Sequence, residues 1–137
     1  MALATADIAF DAALIRHGDW LPLTGYHHAF DLMALPKRPS AILCGNDLMV
    51  LGAMEALREL GLKVPQDVSV MGYDDQALAR YTPPPLSTLV LPNYEMGQRA
   101  AEALLDATVH AKSIRPMTIK IDGPLVPRES TAKVSSS

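Results

Sequence analysis

The chain has 137 residues, 49% hydrophobic and 20% charged, a balance that suits one compact globular domain and excludes a disordered chain. Its formal net charge is −3 and its 12 Lys and Arg residues are scattered, which argues against a nucleic-acid-binding surface because phosphate contacts supply most of that affinity. No apolar run approaches the roughly 20 residues that cross a bilayer, and the start lacks the positive region of a signal peptide, so the expectation is a cytoplasmic protein with no membrane contact.

Helical and strand-like patterns alternate along the chain, which predicts α/β architecture with an open, mostly parallel sheet and flanking helices. Residues 12–17 read as a strand that ends at Gly18 and Asp19. Leu23, Tyr26, Phe30, Met33 and Ala34 then fall on one helical face, and Pro36 and Pro39 close that helix. Residues 40–44 form a short apolar strand. It carries Cys44, the only cysteine, which rules out an internal disulfide and is expected to be a buried strand thiol. Gly45 and Asn46 lead into the clearest helix, where Val50, Met54 and Leu57 make one apolar row and Met49, Ala53, Ala56 and Leu60 a second. So wide a stripe predicts packing on a sheet and on something else besides.

Gly61 and Pro65 mark the end of that helix. Residues 67–73 predict a strand, Asp74 and Asp75 open a loop, and Tyr81 to Pro85 are too rich in proline for regular structure. Residues 87–91 are again β-like. Pro92 pre-sets a helix that runs to about Val109, with Met96, Ala100, Ala103, Leu104 and Ala107 on one side. Residues 117–121 alternate as a strand does, Asp122, Gly123 and Pro124 make a turn, residues 125–128 predict a last short strand, and residues 135–137 a frayed tail.

In an open parallel sheet, ligands bind beyond the carboxyl ends of the strands. If the strands at 40–44 and 67–73 are neighbours, Asn46 and Asp74 converge at one rim, and their amide and carboxylate suit sugar hydroxyls. Trp20, the only tryptophan, follows a third strand-like segment and offers a platform for a ring face. Simpler roles stand beside these. Asn46 is well placed as an N-cap, Asp74 and Asp75 as turn formers, and a lone Trp as a core residue. Acid–base chemistry is weakly supported, since adjacent carboxylates in a loop rarely aim at one atom. His27 and His28 project about 100° apart on a helix, and His17 with Asp19 makes too few ligands for a metal. The sequence has no nucleophile elbow or phosphate loop. Neither catalytic residues nor a cofactor nor a metal is expected.

Five ordered stretches resemble the LacI/GalR family of transcription regulators. They are Ala41-Ile42-Leu43-Cys44-Gly45-Asn46-Asp47-Leu48-Met49-Val50-Leu51-Gly52-Ala53, Asp67-Val68-Ser69-Val70-Met71-Gly72-Tyr73-Asp74-Asp75, Pro84-Pro85-Leu86-Ser87-Thr88-Leu89, Met96-Gly97, and Val126-Pro127-Arg128-Glu129-Ser130-Thr131. Gly18-Asp19-Trp20, with Gly25-Tyr26 after it, fits as well. The resemblance implies part of a type-I periplasmic-binding-protein-like fold, in which two α/β lobes hold a sugar or other small effector between them. It implies that Asn46 and Asp74 touch the effector from the second lobe, that Trp20 flanks it, and that Tyr94 is a further ligand-facing aromatic. It also implies a dimer formed through the helix that starts near Asn46 and the loop around Tyr81.

The family's chains are longer. Its helix-turn-helix headpiece, its hinge helix, most of the first lobe and an effector-gripping arginine have no counterpart here. Residues 2–6 resemble the tail of a family helix. By the same resemblance, residues 1–91 belong to the second lobe, 92–122 are a helix and strand of the first lobe, and 123–137 are the return strand and tail. The helix from Pro92 to Val109 therefore lacks its sheet and is expected to pack on another copy, to swap between chains, or to be poorly ordered. The expected function is effector binding and dimerisation in a regulator that meets operator DNA only through its headpiece. A transport binding protein of the same fold is the alternative, and an enzyme on the same sheet is a weaker one.

Overall fold

The computed structural model describes residues 2–109 and 117–133. Its helices are α1 (Ala2–Thr5), α2 (Pro22–Met33), α3 (Asp47–Glu59) and α4 (Asn93–Val109), and its strands are β1 (Ala41–Leu43), β2 (Ser69–Asp74), β3 (Ser87–Val90) and β4 (Leu125–Val126). The sheet runs β1-β2-β3-β4, with β1, β2 and β3 parallel and β4 antiparallel to β3, as expected of an open, mostly parallel sheet.

Pro22 starts α2 in a position where a missing N–H costs nothing. Gly25, Ala29 and Leu32 are the buried row of that helix, at spacings of four and three. α3 begins where the Asn46 side chain accepts the Met49 N–H at 2.8 Å. Two glycines let α2 and α3 touch backbone to backbone: a β-carbon at Gly25 would strike the Met49 carbonyl, and one at Gly52 the Pro22 carbonyl. Against the other side of α3 lie Val68 just ahead of β2, Val70 within it and Leu86 ahead of β3, all fully buried with Val50, Ala56 and Leu57. The two apolar rows of α3 thus serve two neighbours, the sheet and α2.

Asp47, in the first turn of α3, is fully buried. One of its carboxylate oxygens accepts the Thr88 hydroxyl of β3 at 2.7 Å, and the other accepts the Gln76 backbone N–H at 2.8 Å. A β-carbon on Gly72 of β2 would collide with the same carboxylate. At the far end of the chain, Ser130 stitches the sheet. Its hydroxyl donates to the Val70 carbonyl at 2.6 Å and accepts the Ser87 N–H at 2.8 Å.

Two expected strands do not form. Residues 12–14 make a short 3-10 turn capped by Asp11, followed by extended chain with no ladder. Residues 117–121 likewise form no regular element. Both have strand-like patterns, but a strand exists only when a neighbour takes its N–H and C=O groups, and no described segment forms a ladder with either. α4 forms over the expected length, yet its Met96, Leu104 and Leu105 are exposed, and it has no extensive packing against another described element. The tail at 135–137 lies outside the described residues.

The crowding at Gly72 yields a test. Gly72→Ala should destabilise the fold by about 1–3 kcal/mol through overpacking. Asp47→Ala should cost a similar amount, about 1–3 kcal/mol, by orphaning buried donors. Urea unfolding of the double variant should show a loss well short of the sum, since removing the carboxylate removes the clash. Strict additivity would mean that the two residues do not meet.

Candidate functional site

The carboxyl ends of β1 and β2 lie side by side, because Leu43 is in register with Met71. Gly45 and Asn46 leave β1 there, and Tyr73 and Asp74 close β2. With Trp20 and Leu91 they line a cavity of about 380 Å³. Trp20, Asn46 and Asp74, well separated in the chain, are therefore brought to one place.

Each is held by a distinct interaction. Asn46 is nearly buried, its oxygen capping α3 and its Nδ2 donating to the Trp20 carbonyl at 3.1 Å. Its capping role and its place in the cavity wall coexist. Asp74 takes a positive φ of 114°, and one of its oxygens accepts the Gln76 Nε2 at 3.1 Å, so the other remains available. Trp20 also has a positive φ, 70°, and its ring is 62% exposed. Non-glycine residues in this region are held there only by their surroundings, and they gather at functional sites.

Asp75 turns away from the cavity. It forms an ion pair with Arg128 at 2.6 Å, and the same guanidinium donates to the Leu86 carbonyl at 2.7 Å. The adjacent carboxylates thus have separate tasks. Tyr94 lies in the first turn of α4, 87% exposed, and the structure does not bring it into the cavity lining. Gln76 and Leu91 were missed in the sequence. Leu91 was within reach of the strand-end rule, since it directly follows β3, while Gln76 gave no local signal.

Burial pushes the Asp47 carboxyl above its usual range, with the Thr88 and Gln76 hydrogen bonds acting in the opposite sense. A carboxyl that holds its proton more tightly folded than unfolded contributes most below the ordinary carboxylate range. That contribution is lost as pH rises through its folded value. Cys44, at the exit of β1, is pushed up to about 12, first by burial and then by the charge of Asp47. Its thiol is a core group, as expected, and offers no nucleophile at neutral pH. Among the described residues no group of three or more His, Cys, Asp or Glu side chains could hold a metal. The cavity offers an aromatic face, a free carboxylate oxygen and an amide N–H. Such a set binds a ring that carries hydrogen-bond donors.

A larger groove of about 450 Å³ lies elsewhere, between α3 and the proline loop, with Leu51, Met54, Arg58 and Pro83 in its walls. Its walls also include Glu55, Lys63, Gln66 and Thr82, and its Arg58 is engaged by Glu55 in an ion pair at 2.6 Å.

The profile of the periplasmic binding protein-like domain matches residues 4–131. The HTH-type transcriptional repressor PurR of Yersinia enterocolitica is 41% identical over 131 residues, which are 96% of this chain and 38% of the repressor. A solved complex of the transcriptional regulator CelR with cellobiose is 32% identical, with a TM-score of 0.83 over 94% of this chain and 39% of that one. The lac repressor dimer bound to operator and the anti-inducer ONPF is also 32% identical, with a TM-score of 0.80 over 94% of this chain and 44% of that one. The chain thus spans less than half the length of each.

The thiol supplies a check on the site's packing. Cys44 should resist an aromatic disulfide reagent at about pH 8, well below its folded value, and should react at once in urea. Rapid labelling of the folded chain would mean that the β1 exit is open to solvent.

Proposed function

The chain belongs to the periplasmic binding protein-like family, in the form carried by LacI-type transcription regulators, and from that premise we propose that it binds a sugar or similar small-molecule effector and mediates dimerisation. The observation that carries the effector reading is the cavity shared by Trp20, Asn46 and Asp74. The ring face rests on Trp20, the free oxygen of Asp74 accepts a hydroxyl, and Asn46 donates its remaining N–H. We assign Tyr94, three residues beyond the cavity-lining Leu91, to the outer side of the ligand. The cellobiose held by the CelR relative supports a sugar as the first class to try.

We read residues 1–91 as the second lobe, 92–122 as the excursion into a first lobe, and 123–137 as the return. In support, α4 leaves the sheet after Leu91, and Pro124 brings the chain back, its carbonyl accepting the Val90 N–H at 2.9 Å. Operator contact is assigned to a headpiece outside this region, in keeping with the net charge of −3. Dimerisation is assigned to the outer face of α3 and the proline loop. Leu51 is 36% exposed and borders the grooves on both sides of that face. The lac repressor relative, solved as a dimer, supports dimerisation as such.

Two measurements test these roles. Calorimetric titration with a panel of mono- and disaccharides, cellobiose among them, should find a binder. Asp74→Ala should weaken it about tenfold or more, the loss expected for one charged hydrogen bond. A panel without a single binder would end the sugar reading. In sedimentation, Leu51→Glu should convert a dimer to a monomer, whereas a parent chain that is monomeric throughout would remove the dimer assignment.

A further inference from the structure

We propose that Asn46 is a positioning residue whose side-chain amide holds Trp20 as a fixed wall of the cavity. Trp20 lies outside every helix and strand, in a left-handed conformation, with a largely exposed ring. Little packing holds it. What does hold it comes from the turn between β1 and α3. Asn46 Nδ2 donates to the Trp20 carbonyl at 3.1 Å, and the ring lies over Gly45, where a β-carbon would stand 2.8 Å from Cζ3. The same amide is anchored from within, because its oxygen is the cap of α3. One planar group thus ties the least supported residue of the site to the best supported helix.

Trp20 and Gly45 also line a second cavity, of about 230 Å³, together with His17, Gly18 and Met49. The indole is therefore the partition between two spaces. Held in place, it confines a ligand to the side bounded by Asp74 and Leu91; released, it joins the two. Asn46 with Trp20 accordingly sets the size of ring that the site accepts. This consequence for ligand choice rests on the effector reading above, but the holding of the indole does not.

Because Trp20 is the only tryptophan, its fluorescence reports this ring alone. Time-resolved anisotropy of the parent should decay at the tumbling rate of the whole protein. Asn46→Asp keeps an oxygen to cap α3 but turns the donor facing the Trp20 carbonyl into an acceptor. Asn46→Ser keeps the cap and removes the donor. Both should add a fast component on the ps–ns timescale of free side chains, with helix content by circular dichroism unchanged. Decays indistinguishable from the parent would overturn the proposal. Should one variant fail to fold, the other decides, and a dominant fast component in the parent itself would overturn the proposal. The measurement needs no effector, so a parent that ignores every sugar while the variants gain the fast component removes the sugar reading and keeps this one.

Discussion

The buried carboxylate of Asp47 is the constraint on which the arrangement of the cavity depends. It sits in the first turn of α3 and receives a hydroxyl from β3 and an N–H from the loop after β2. Three elements distant in sequence are thereby fixed to one another at the carboxyl end of the sheet, beside the cavity. Burying a charge in this way is costly, and it is offset only when its lone pairs are satisfied. Here two donors do so, and the N-terminus of the helix adds a favourable dipole. Gly72 belongs to the same arrangement, because only a residue without a side chain leaves room for the carboxylate. From Asp47 the chain of bonds continues outward, since Gln76, whose backbone it holds, uses its side chain to fix Asp74.

α4 shows the opposite situation, a local pattern that little among the described residues buries. Its sequence favours a helix and a helix forms, but Leu104 and Leu105 remain about 60% exposed, at 60% and 61%. Each such side chain would gain roughly 1.5–3 kcal/mol from burial. On β1, Leu43 is 69% exposed on the face of the sheet away from α3. A parallel sheet is ordinarily covered on both faces. In the proposed reading the cover for α4 comes from a first lobe, and that of the outer face of α3 from a second copy.

Much of the site could be read in advance because the rule that locates it is topological. Asn46 and Asp74 were placed together by their positions after two strands, and the parallel pairing of β1 with β2 brings them there. Trp20 was harder, because its backbone conformation and its tie to Asn46 are set by residues 26 positions away. Asp47 was visible only as the neighbour of Asn46. Nothing local distinguishes a buried clamp from a solvated first-turn carboxylate, since the difference lies in Thr88 and Gly72.

The sequence by itself determined the helices, the cap of α3, the apolar rows and the three parallel strands, because these follow from periodicity and turn chemistry over a few residues. Tertiary structure alone decided which strand-like stretches became strands. Residues 12–17 and 117–121 have the pattern without the ladder, whereas β4, only two residues long, forms because β3 lies beside it. A helix satisfies its own backbone, but a strand depends on a neighbour to do so, and that neighbour is a property of the whole fold.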